Sequence, residues 1–265
     1  MKKRKLPWPL LIFWIVSGSV LAFRLGYDLK TWSFGSTIAV RGTRPYNYLL
    51  HLPRGYHDFG KRPLLVFLHG AGEVGKDVNV LRELDVFHYA NGTVPANDFP
   101  FIVISPVTPR HGWDSRQVVR FLDEFLKDDR YRYTIDTSRI YLTGFSMGGF
   151  GTFSVACDFP DRFAAIAPLA GGCDPDKADK LLTVPTWAFH GDADKVVAFE
   201  QTDKMITAMR ELNHPDVRIT PLFGAGHGIP GAVYTRPELY QWLLEQQKPI
   251  EQVLSCKIEK DRDLH

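Results

Sequence analysis

The chain has 265 residues, of which 45% are hydrophobic, so it is long enough to bury a large core within one domain. Its formal net charge is +2, and the four positive charges at residues 2–5 leave the rest of the chain at −2 (2 minus 4). A protein that binds the phosphate backbone of a nucleic acid usually presents a basic face, so we expect no binding to nucleic acid.

The first predicted element is a basic flank followed by an apolar run. Residues 2–5 are all Lys or Arg, and residues 6–23 carry no charge. This order is typical of an export signal whose positive charges stay in the cytoplasm. The run is long for a signal peptide and just long enough to span hydrocarbon, so residues 1–24 are predicted as a signal peptide or a membrane anchor. Both alternatives predict that the domain after this run lies outside the bacterial cytoplasm, in the periplasm or attached to the cytoplasmic membrane.

Beyond residue 30, segments with strand and helix patterns alternate along the chain. Strands are predicted at residues 32–40, 46–52, 63–69, 101–105, 139–143, 163–169, 185–189 and 217–222. Helices are predicted at residues 79–89, 116–130, 150–157, 199–212 and 236–247. The alternation predicts an α/β domain over residues 30–250, with a mostly parallel sheet, helices on both faces and the first two strands antiparallel at one edge. Residues 251–265 are charged and aperiodic and are predicted to be a surface extension.

A Gly-x-Ser-x-Gly motif, from Gly144 to Gly148, lies where the fifth predicted strand passes into a predicted helix. In α/β proteins, such a corner lifts one serine above the sheet with its hydroxyl exposed. A Cβ at either glycine would crowd the tight turn. Ser146 is therefore the predicted nucleophile, and the alternative is an ordinary capping serine at a glycine-rich helix start.

A serine hydroxyl is a weak nucleophile at pH 7, so it needs a base, and the base needs an orienting acid. His227, in a glycine-rich loop after the last predicted strand, is the predicted base. Asp194, after the seventh predicted strand, is the predicted acid, and Asp174, after the sixth, is its rival. Asp192 is expected to stabilise its own loop. The chain order Ser146, Asp194, His227 is the order found in α/β-hydrolases.

Acyl transfer also needs hydrogen-bond donors for the oxyanion. The amide of Met147, directly after the predicted nucleophile, is one predicted donor. The loop of small residues after the third predicted strand is expected to supply the other, from Ala71 or, as second choice, Gly72.

Three polar residues beside these motifs are expected to have supporting roles. His69 is expected to brace the oxyanion loop, and His190 to brace the loop of the acid. Glu73 is an acid by residue type, but its position favours a pair with an arginine.

Four segments together resemble the α/β-hydrolase superfamily: residues 65–75 (LVFLHGAGEVG), 140–151 (IYLTGFSMGGFG), 190–197 (HGDADKVV) and 224–227 (GAGH). The chain is similar to compact bacterial esterases described as predicted peptidases, phospholipase/carboxylesterases or dienelactone-hydrolase-like proteins, over roughly residues 46–247. The resemblance implies an eight-stranded α/β-hydrolase sheet and a serine-hydrolase triad at Ser146, Asp194 and His227. The chain departs from the dienelactone hydrolases themselves, whose nucleophile is a cysteine.

The spacing of the triad bears on the shape of the site. Only 48 positions separate Ser146 from Asp194 (194 minus 146), and predicted elements fill nearly all of them. We therefore expect no large cap domain and an open cleft walled by loops. Phe145 is predicted to line the substrate pocket, and Trp113 either lines that pocket or packs its own loop.

Three cysteines, Cys157, Cys173 and Cys256, are widely spaced and odd in number, which is typical neither of a disulfide framework nor of a metal cluster. We expect buried free thiols, with a Cys157–Cys173 bridge as the alternative. We expect no metal ion and no organic cofactor.

These observations predict an exported carboxylic-ester hydrolase that acts through an acyl-enzyme on a soluble or polymer-attached ester. A serine peptidase of the same fold is an alternative, but the interval between the leader and the first core strand is too short for a gating domain. A membrane-tethered binding module on a retired hydrolase scaffold is another, which the complete catalytic set disfavours.

Overall fold

The computed structural model describes residues 35–43, 45–56, 60–93 and 99–249, and these form an eight-stranded sheet flanked by helices. The predicted leader at residues 1–24 and the predicted extension at residues 251–265 lie outside the described residues. Within the described ranges, no helix is both long and apolar enough to cross a membrane.

The bounds of the elements are as follows. The strands are β1 (Ser36–Val40), β2 (Tyr48–Leu52), β3 (Arg62–Leu68), β4 (Ile102–Pro106), β5 (Ile135–Phe145), β6 (Ala165–Leu169), β7 (Thr186–Gly191) and β8 (Val217–Leu222). The α-helices are α1 (Asp85–His88), α2 (Ser115–Lys127), α3 (Met147–Asp158), α4 (Glu200–Glu211), α5 (Pro230–Tyr234) and α6 (Pro237–Glu245). Short 3-10 helices span Ala71–Glu73, Val78–Glu83, Pro160–Arg162 and Pro175–Leu181, and a π-helical turn spans Tyr89–Thr93.

The sheet is mostly parallel, as predicted. Its strand order is β1-β2-β4-β3-β5-β6-β7-β8. The pairs β1–β2 and β2–β4 are antiparallel, and every other neighbouring pair is parallel. The carboxyl ends of β3, β5, β6, β7 and β8 therefore share one edge of the sheet, where ligands of open α/β sheets bind.

Side chains on the strands alternate between two cores, one on each face of the sheet. On β3, Leu64 and Val66 enter one core, and Leu65 and Phe67 enter the other. Helices α2, α3 and α4 cover the first core, while α1, α5 and α6 cover the second. Strands β4 and β6 are buried along their whole length, which explains why their sequences are apolar without alternation.

The predicted helix at residues 79–89 is wrong as a single element. A 3-10 helix, Val78–Glu83, begins after Asp77, whose carboxylate accepts a hydrogen bond from the Asn79 amide at 2.9 Å. Leu84 then adopts extended backbone (φ −79°, ψ 140°) before the single turn of α1. The break lets both segments bury apolar side chains in the same core, namely Val78, Leu81, Val86 and Phe87. Burial in the tertiary structure has outweighed the helical pattern.

Candidate active site

Ser146 lies at the sharp corner between β5 and α3. Its backbone has φ 56° and ψ −116°, a conformation that residues with a side chain rarely adopt. The Ser146 amide donates to the carbonyl of Leu169 in β6 at 2.9 Å, which ties the corner to the neighbouring strand. The strained backbone thus holds the serine at the carboxyl edge of the sheet.

The glycines around the corner allow the start of α3 to touch the ends of the strands. A Cβ at Gly148 would lie 1.8 Å from the Leu68 carbonyl oxygen of β3, and a Cβ at Gly144 would lie 2.5 Å from the Gly148 carbonyl oxygen. The steric role predicted for both glycines is confirmed. Gly149, which the motif does not include, has the same requirement, because a Cβ there would lie 2.2 Å from the Leu169 carbonyl oxygen.

The structure brings Ser146, His227 and Asp194 together through two hydrogen bonds. Nε2 of His227 lies 2.9 Å from Oγ of Ser146, and Nδ1 of His227 lies 2.7 Å from Oδ2 of Asp194. The Nδ1–H group donates a hydrogen bond to the Asp194 carboxylate, so the Nε2 lone pair can accept a hydrogen bond from the serine hydroxyl. The imidazole therefore faces the hydroxyl in the tautomer that can take its proton.

The Asp194 side chain is shielded from solvent, and hydrogen bonds hold its charged form. Oδ1 accepts from the amides of Val196 (2.8 Å) and Val197 (3.0 Å). Burial alone would raise the pKa of Asp194, but the hydrogen bonds from His227 and the two amides outweigh it and lower that pKa below its ordinary value. The carboxylate is therefore ionised at neutral pH.

The imidazole of His190 is a second ring on this carboxylate. It is fully buried, with Nε2 3.3 Å from Oδ2 of Asp194 and 2.9 Å from the Val197 carbonyl oxygen. On its other side, Nδ1 lies 2.7 Å from Oγ1 of Thr202 in α4, which also contacts the Gly171 carbonyl oxygen. The bracing role expected of His190 is observed. Sequence reasoning missed Thr202, because no motif marks it and only the fold brings α4 to this loop.

The loop of the acid is joined to the loop of the base. The carboxylate of Asp192 accepts from the Gly224 amide at 2.6 Å, and the Ala193 amide donates to the Ala225 carbonyl at 3.0 Å. Asp192 therefore stabilises the loop region, as expected, but through an amide of the facing loop. The two loops support each other from both sides.

Asp174, the rival acid, has a different contact. Its carboxylate accepts from the Asp176 amide at 3.1 Å and caps the 3-10 helix Pro175–Leu181. The observed partner of His227 is Asp194, so the geometry favours the first choice over the rival.

The loop that follows β3 carries the other predicted oxyanion donor. Ala71 is the first residue of the 3-10 helix Ala71–Glu73, and a first-turn amide has no partner within its own helix. Met147 stands in the corresponding position at the start of α3. The contact of Gly148 with Leu68 joins the two segments. A Cβ at Gly72 would meet nothing within 4 Å, so packing does not require glycine there.

His69 braces this loop as expected. Its buried Nε2 accepts from the Thr108 amide at 3.1 Å, so Nδ1 carries the proton and donates to the Gly70 carbonyl oxygen at 2.6 Å. Burial lowers the pKa of His69 to about 4, against the opposing effect of the Gly70 carbonyl. The ring is therefore neutral at pH 7 and links the β3 loop to the loop after β4.

The prediction that Glu73 pairs with an arginine is wrong. In the described part of the chain, its carboxylate forms no ion pair with an arginine; it lies 3.8 Å from Nδ1 of His69 and close to its own amide and that of Gly70. Burial raises the pKa of Glu73, while Lys76 and the amides oppose the rise. Glu73 thus stabilises the backbone beside Ala71.

Two grooves meet at the loop that follows β4. One, of about 470 Å³, is lined by Gly112, Trp113, Met147, Phe150, Gly151 and Ser154. The other, of about 550 Å³, is lined by residues 108–114 together with Pro45, Tyr46 and Gln117. Gly112 and Trp113 border both. Met147, which directly follows Ser146, lines the smaller groove, whereas Ser146, Asp194 and His227 line neither of the two.

Trp113 packs its own loop, which is one of the two roles left open by the sequence, and its role in a substrate pocket stays a prediction. The residue is 9% exposed. Its indole donates from Nε1 to the His69 carbonyl at 3.2 Å and packs against Gly151, where a Cβ would come within 2.6 Å of the ring. The remaining surface borders both grooves. The ring of Phe145 lies against His227, with the two centroids 4.7 Å apart, and it is not among the residues that line the two grooves, so its pocket role stays a prediction.

Among the described residues, no group of His, Cys, Asp and Glu side chains is arranged to hold a metal ion. Cys157 and Cys173 are free thiols with their sulfur atoms 3.9 Å apart. Cys256 lies outside the described residues.

Comparison with known proteins finds esterases that are similar to part of this chain. The bifunctional acetylxylan esterase/xylanase XynS20E of Neocallimastix patriciarum is 28% identical over 156 residues, which cover 57% of this chain and 22% of that protein. The probable feruloyl esterase C of Aspergillus clavatus is 30% identical over 127 residues, covering 47% of this chain and 46% of that protein. The chain thus spans less than half the length of these relatives.

A solved structure and a family model agree with this likeness. The crystal structure of a thermostable esterase superposes with a TM-score of 0.68 and 29% identity, covering 81% of this chain and 63% of that one. The model of the Dienelactone hydrolase family matches residues 107–231, a range that includes Ser146, Asp194 and His227. The chain therefore has the α/β-hydrolase fold and carries a dienelactone hydrolase family match over residues 107–231.

Proposed function

We propose that this protein is a serine hydrolase that cleaves carboxylic esters through an acyl-enzyme. The observation that carries the proposal is the pair of hydrogen bonds that join Ser146 to His227 (2.9 Å) and His227 to Asp194 (2.7 Å). A hydroxyl in contact with a neutral imidazole can lose its proton as it attacks a carbonyl carbon. The likeness to an acetylxylan esterase and a feruloyl esterase supports ester chemistry.

In the proposed acylation, Oγ of Ser146 attacks the ester carbonyl carbon while Nε2 of His227 takes the hydroxyl proton. The Asp194 carboxylate, whose pKa is held below its ordinary value, stabilises the resulting imidazolium. Negative charge on the carbonyl oxygen is stabilised by the amides of Met147 and Ala71. The imidazolium then protonates the alcohol oxygen as the C–O bond breaks, and a water molecule releases the acyl group by the same steps.

The substrate class that we propose is a soluble or polymer-attached ester. Between Ser146 and Asp194 the chain forms α3, β6, β7 and two short 3-10 helices, so no cap domain is inserted in this stretch. We propose that the grooves of about 470 and 550 Å³, which share Gly112 and Trp113, receive the acyl and alcohol parts of a substrate. This arrangement suits an ester whose alcohol part extends beyond the site.

We also propose that the catalytic domain acts outside the cytoplasm. The support is the basic flank at residues 2–5 followed by the uncharged run at residues 6–23. Cell fractionation with an antibody to the domain, combined with the intact mass of the isolated protein, tests the proposal. A cytoplasmic protein that retains residues 1–24 would contradict it.

The test of the catalytic proposal uses short-chain aryl esters and a matched serine variant. Ser146→Ala is expected to abolish ester hydrolysis and covalent labelling by a fluorophosphonate, with little change in melting temperature. Ser138→Ala, near the opposite end of β5, is the control and is expected to keep full activity. Labelling at another residue, or turnover by Ser146→Ala, would remove Ser146 from the mechanism. Aminoacyl and peptide substrates in the same assay decide between an esterase and a peptidase.

A further inference from the structure

We propose that Cys157 and Cys173 are a redox pair that a small-molecule disulfide converts to an intramolecular disulfide. Their sulfur atoms lie 3.9 Å apart, which is van der Waals contact. The proposed mechanism of ester hydrolysis uses neither thiol. The pair is therefore a modification site separate from the Ser146 chemistry.

The backbone around the pair is already held close. Cys157 lies in α3, and Cys173 lies in the loop that follows β6. The loop and the helix also touch near the start of α3, where a Cβ at Gly171 would come within 2.3 Å of the Gly149 backbone. The helix and the loop are therefore packed tightly. A disulfide has an S–S distance of about 2.05 Å, so the sulfurs must approach by about 2 Å, a distance within reach of side-chain rotation.

The two thiols differ in access and in acidity. Cys157 is 4% exposed, whereas Cys173 is partly exposed. The hydrogen bond from the Cys157 thiol is the main cause that lowers the pKa of Cys173 to about 7, and the Asp174 amide and Lys177 assist against burial. The same hydrogen bond, together with burial, raises the pKa of Cys157. An external reagent therefore meets a reachable thiolate at Cys173 and a protected thiol at Cys157.

These differences fix the order of the steps. The Cys173 thiolate attacks one sulfur of the small disulfide, forms a mixed disulfide and expels one small thiolate. The Cys157 thiol no longer faces an anionic sulfur, so it loses its proton more readily. Its thiolate attacks the Cys173 sulfur, forms the Cys157–Cys173 bond and expels the second small thiolate. The two cysteines lose two electrons, the small disulfide gains them, and the two cysteine protons end on the two small thiols or in solvent.

The bond would join the later turns of α3 to the loop after β6. The cysteines are 16 positions apart, and closing a loop of that length restricts the unfolded chain. We expect the oxidised protein to melt about 5–10 °C above the reduced protein. Ser146 lies about three helical turns from Cys157, so we expect turnover of an aryl ester to change less than twofold.

The experiment uses the full chain with Cys256→Ser, which removes the third cysteine. The reduced protein is incubated with oxidised glutathione and then analysed by intact mass and non-reducing peptide mapping. We expect the loss of two hydrogen atoms, no retained glutathione, and a cross-linked peptide that contains Cys157 and Cys173. In the same background, Cys157→Ala is expected to keep a stable glutathione adduct on Cys173, and Cys173→Ser to remain unmodified.

Two results would overturn the proposal. One is a protein with both cysteines that retains glutathione on Cys173 without forming the cross-link. The other is a protein in which neither thiol reacts while a small thiol-reactive probe labels Cys173. Both readouts come from the protein that keeps the pair, so they do not depend on the folding of the single-cysteine variants.

Discussion

Oδ2 of Asp194 contacts two imidazoles, His227 at 2.7 Å and His190 at 3.3 Å. The first ring faces the serine, and the second is buried between the acid loop and α4. The buried ring of His190 thus holds the carboxylate, and the carboxylate in turn holds the ring of His227. This arrangement limits the motion of His227 before any substrate binds.

The identity of the acid can be tested with two matched substitutions. Asp194→Asn removes the charge that stabilises the imidazolium and disturbs the tautomer, so we expect kcat/KM to fall by about 10³–10⁴-fold. Asp174→Asn changes a carboxylate that caps a 3-10 helix and is expected to stay within about twofold of the wild type. Steady-state kinetics on an aryl ester measures both. The reverse pattern would assign the acid to Asp174.

The oxyanion donor can be tested by removing one amide proton. Ala71→Pro places proline at the first position of a 3-10 helix, after Gly70, whose extended backbone (φ −75°, ψ −173°) suits a residue before proline. We expect kcat to fall by about 10²–10³-fold with little loss of stability. Ala71→Ser keeps the amide and serves as the control. A normal kcat for the proline variant would move the donor away from Ala71, with Gly72 as the next candidate.

Two glycine substitutions compare a tightly packed position with an open one. In Gly148→Ala, the new Cβ meets the Leu68 carbonyl at 1.8 Å, so we expect a loss of about 3 kcal/mol in the free energy of unfolding. In Gly72→Ala, the new Cβ meets nothing within 4 Å, and we expect a change below about 0.5 kcal/mol. Urea unfolding of both variants checks the contrast. Equal stability of the two variants would mean that the corner between β5 and α3 can open to accept a methyl group.

Buried neutral histidines make the stability depend on pH. His69 has an ordinary pKa of 6.5, and burial lowers it to about 4 in the folded protein. Between these values the unfolded chain binds a proton that the folded chain does not, so the free energy of unfolding falls as the pH falls. The contribution of His69 is fully present above pH 6.5 and is lost towards pH 4, with a slope of at most about 1.4 kcal/mol per pH unit.

Replacing the ring removes this contribution. His69→Gln is expected to flatten the dependence of the unfolding free energy on pH within that window, as measured by urea unfolding at several pH values. His51, whose pKa burial also lowers to about 4, lies on β2 and provides an independent second case through His51→Gln. An unchanged slope in both variants would contradict the assignment of neutral buried rings.

Features that depend on short stretches of sequence were predictable, whereas contacts between elements that are distant in the chain were not. Central strands such as β4 and β6 were predictable because each is a short buried run. The loops that carry Ser146, Asp194 and His227 follow strands whose ends share one edge. The role of Thr202 was not predictable, because its contact with His190 depends on where α4 packs. The partner of Glu73 was misjudged for a related reason: a carboxylate can be held by backbone amides, which residue types do not reveal.

The hydrogen bonds that join Asp192 to Gly224 and Ala193 to Ala225 limit which loops of this protein can accept insertions. The two loops that supply the acid and the base form one mechanical unit, so an insertion in either would displace both side chains from the serine. The loop at residues 107–114, which borders both grooves, carries no member of the triad. Thr108 and Trp113 hold His69, so variation at residues 109–112 can reshape the grooves while the triad and the oxyanion loop stay in place, and libraries for altered substrate choice should begin there.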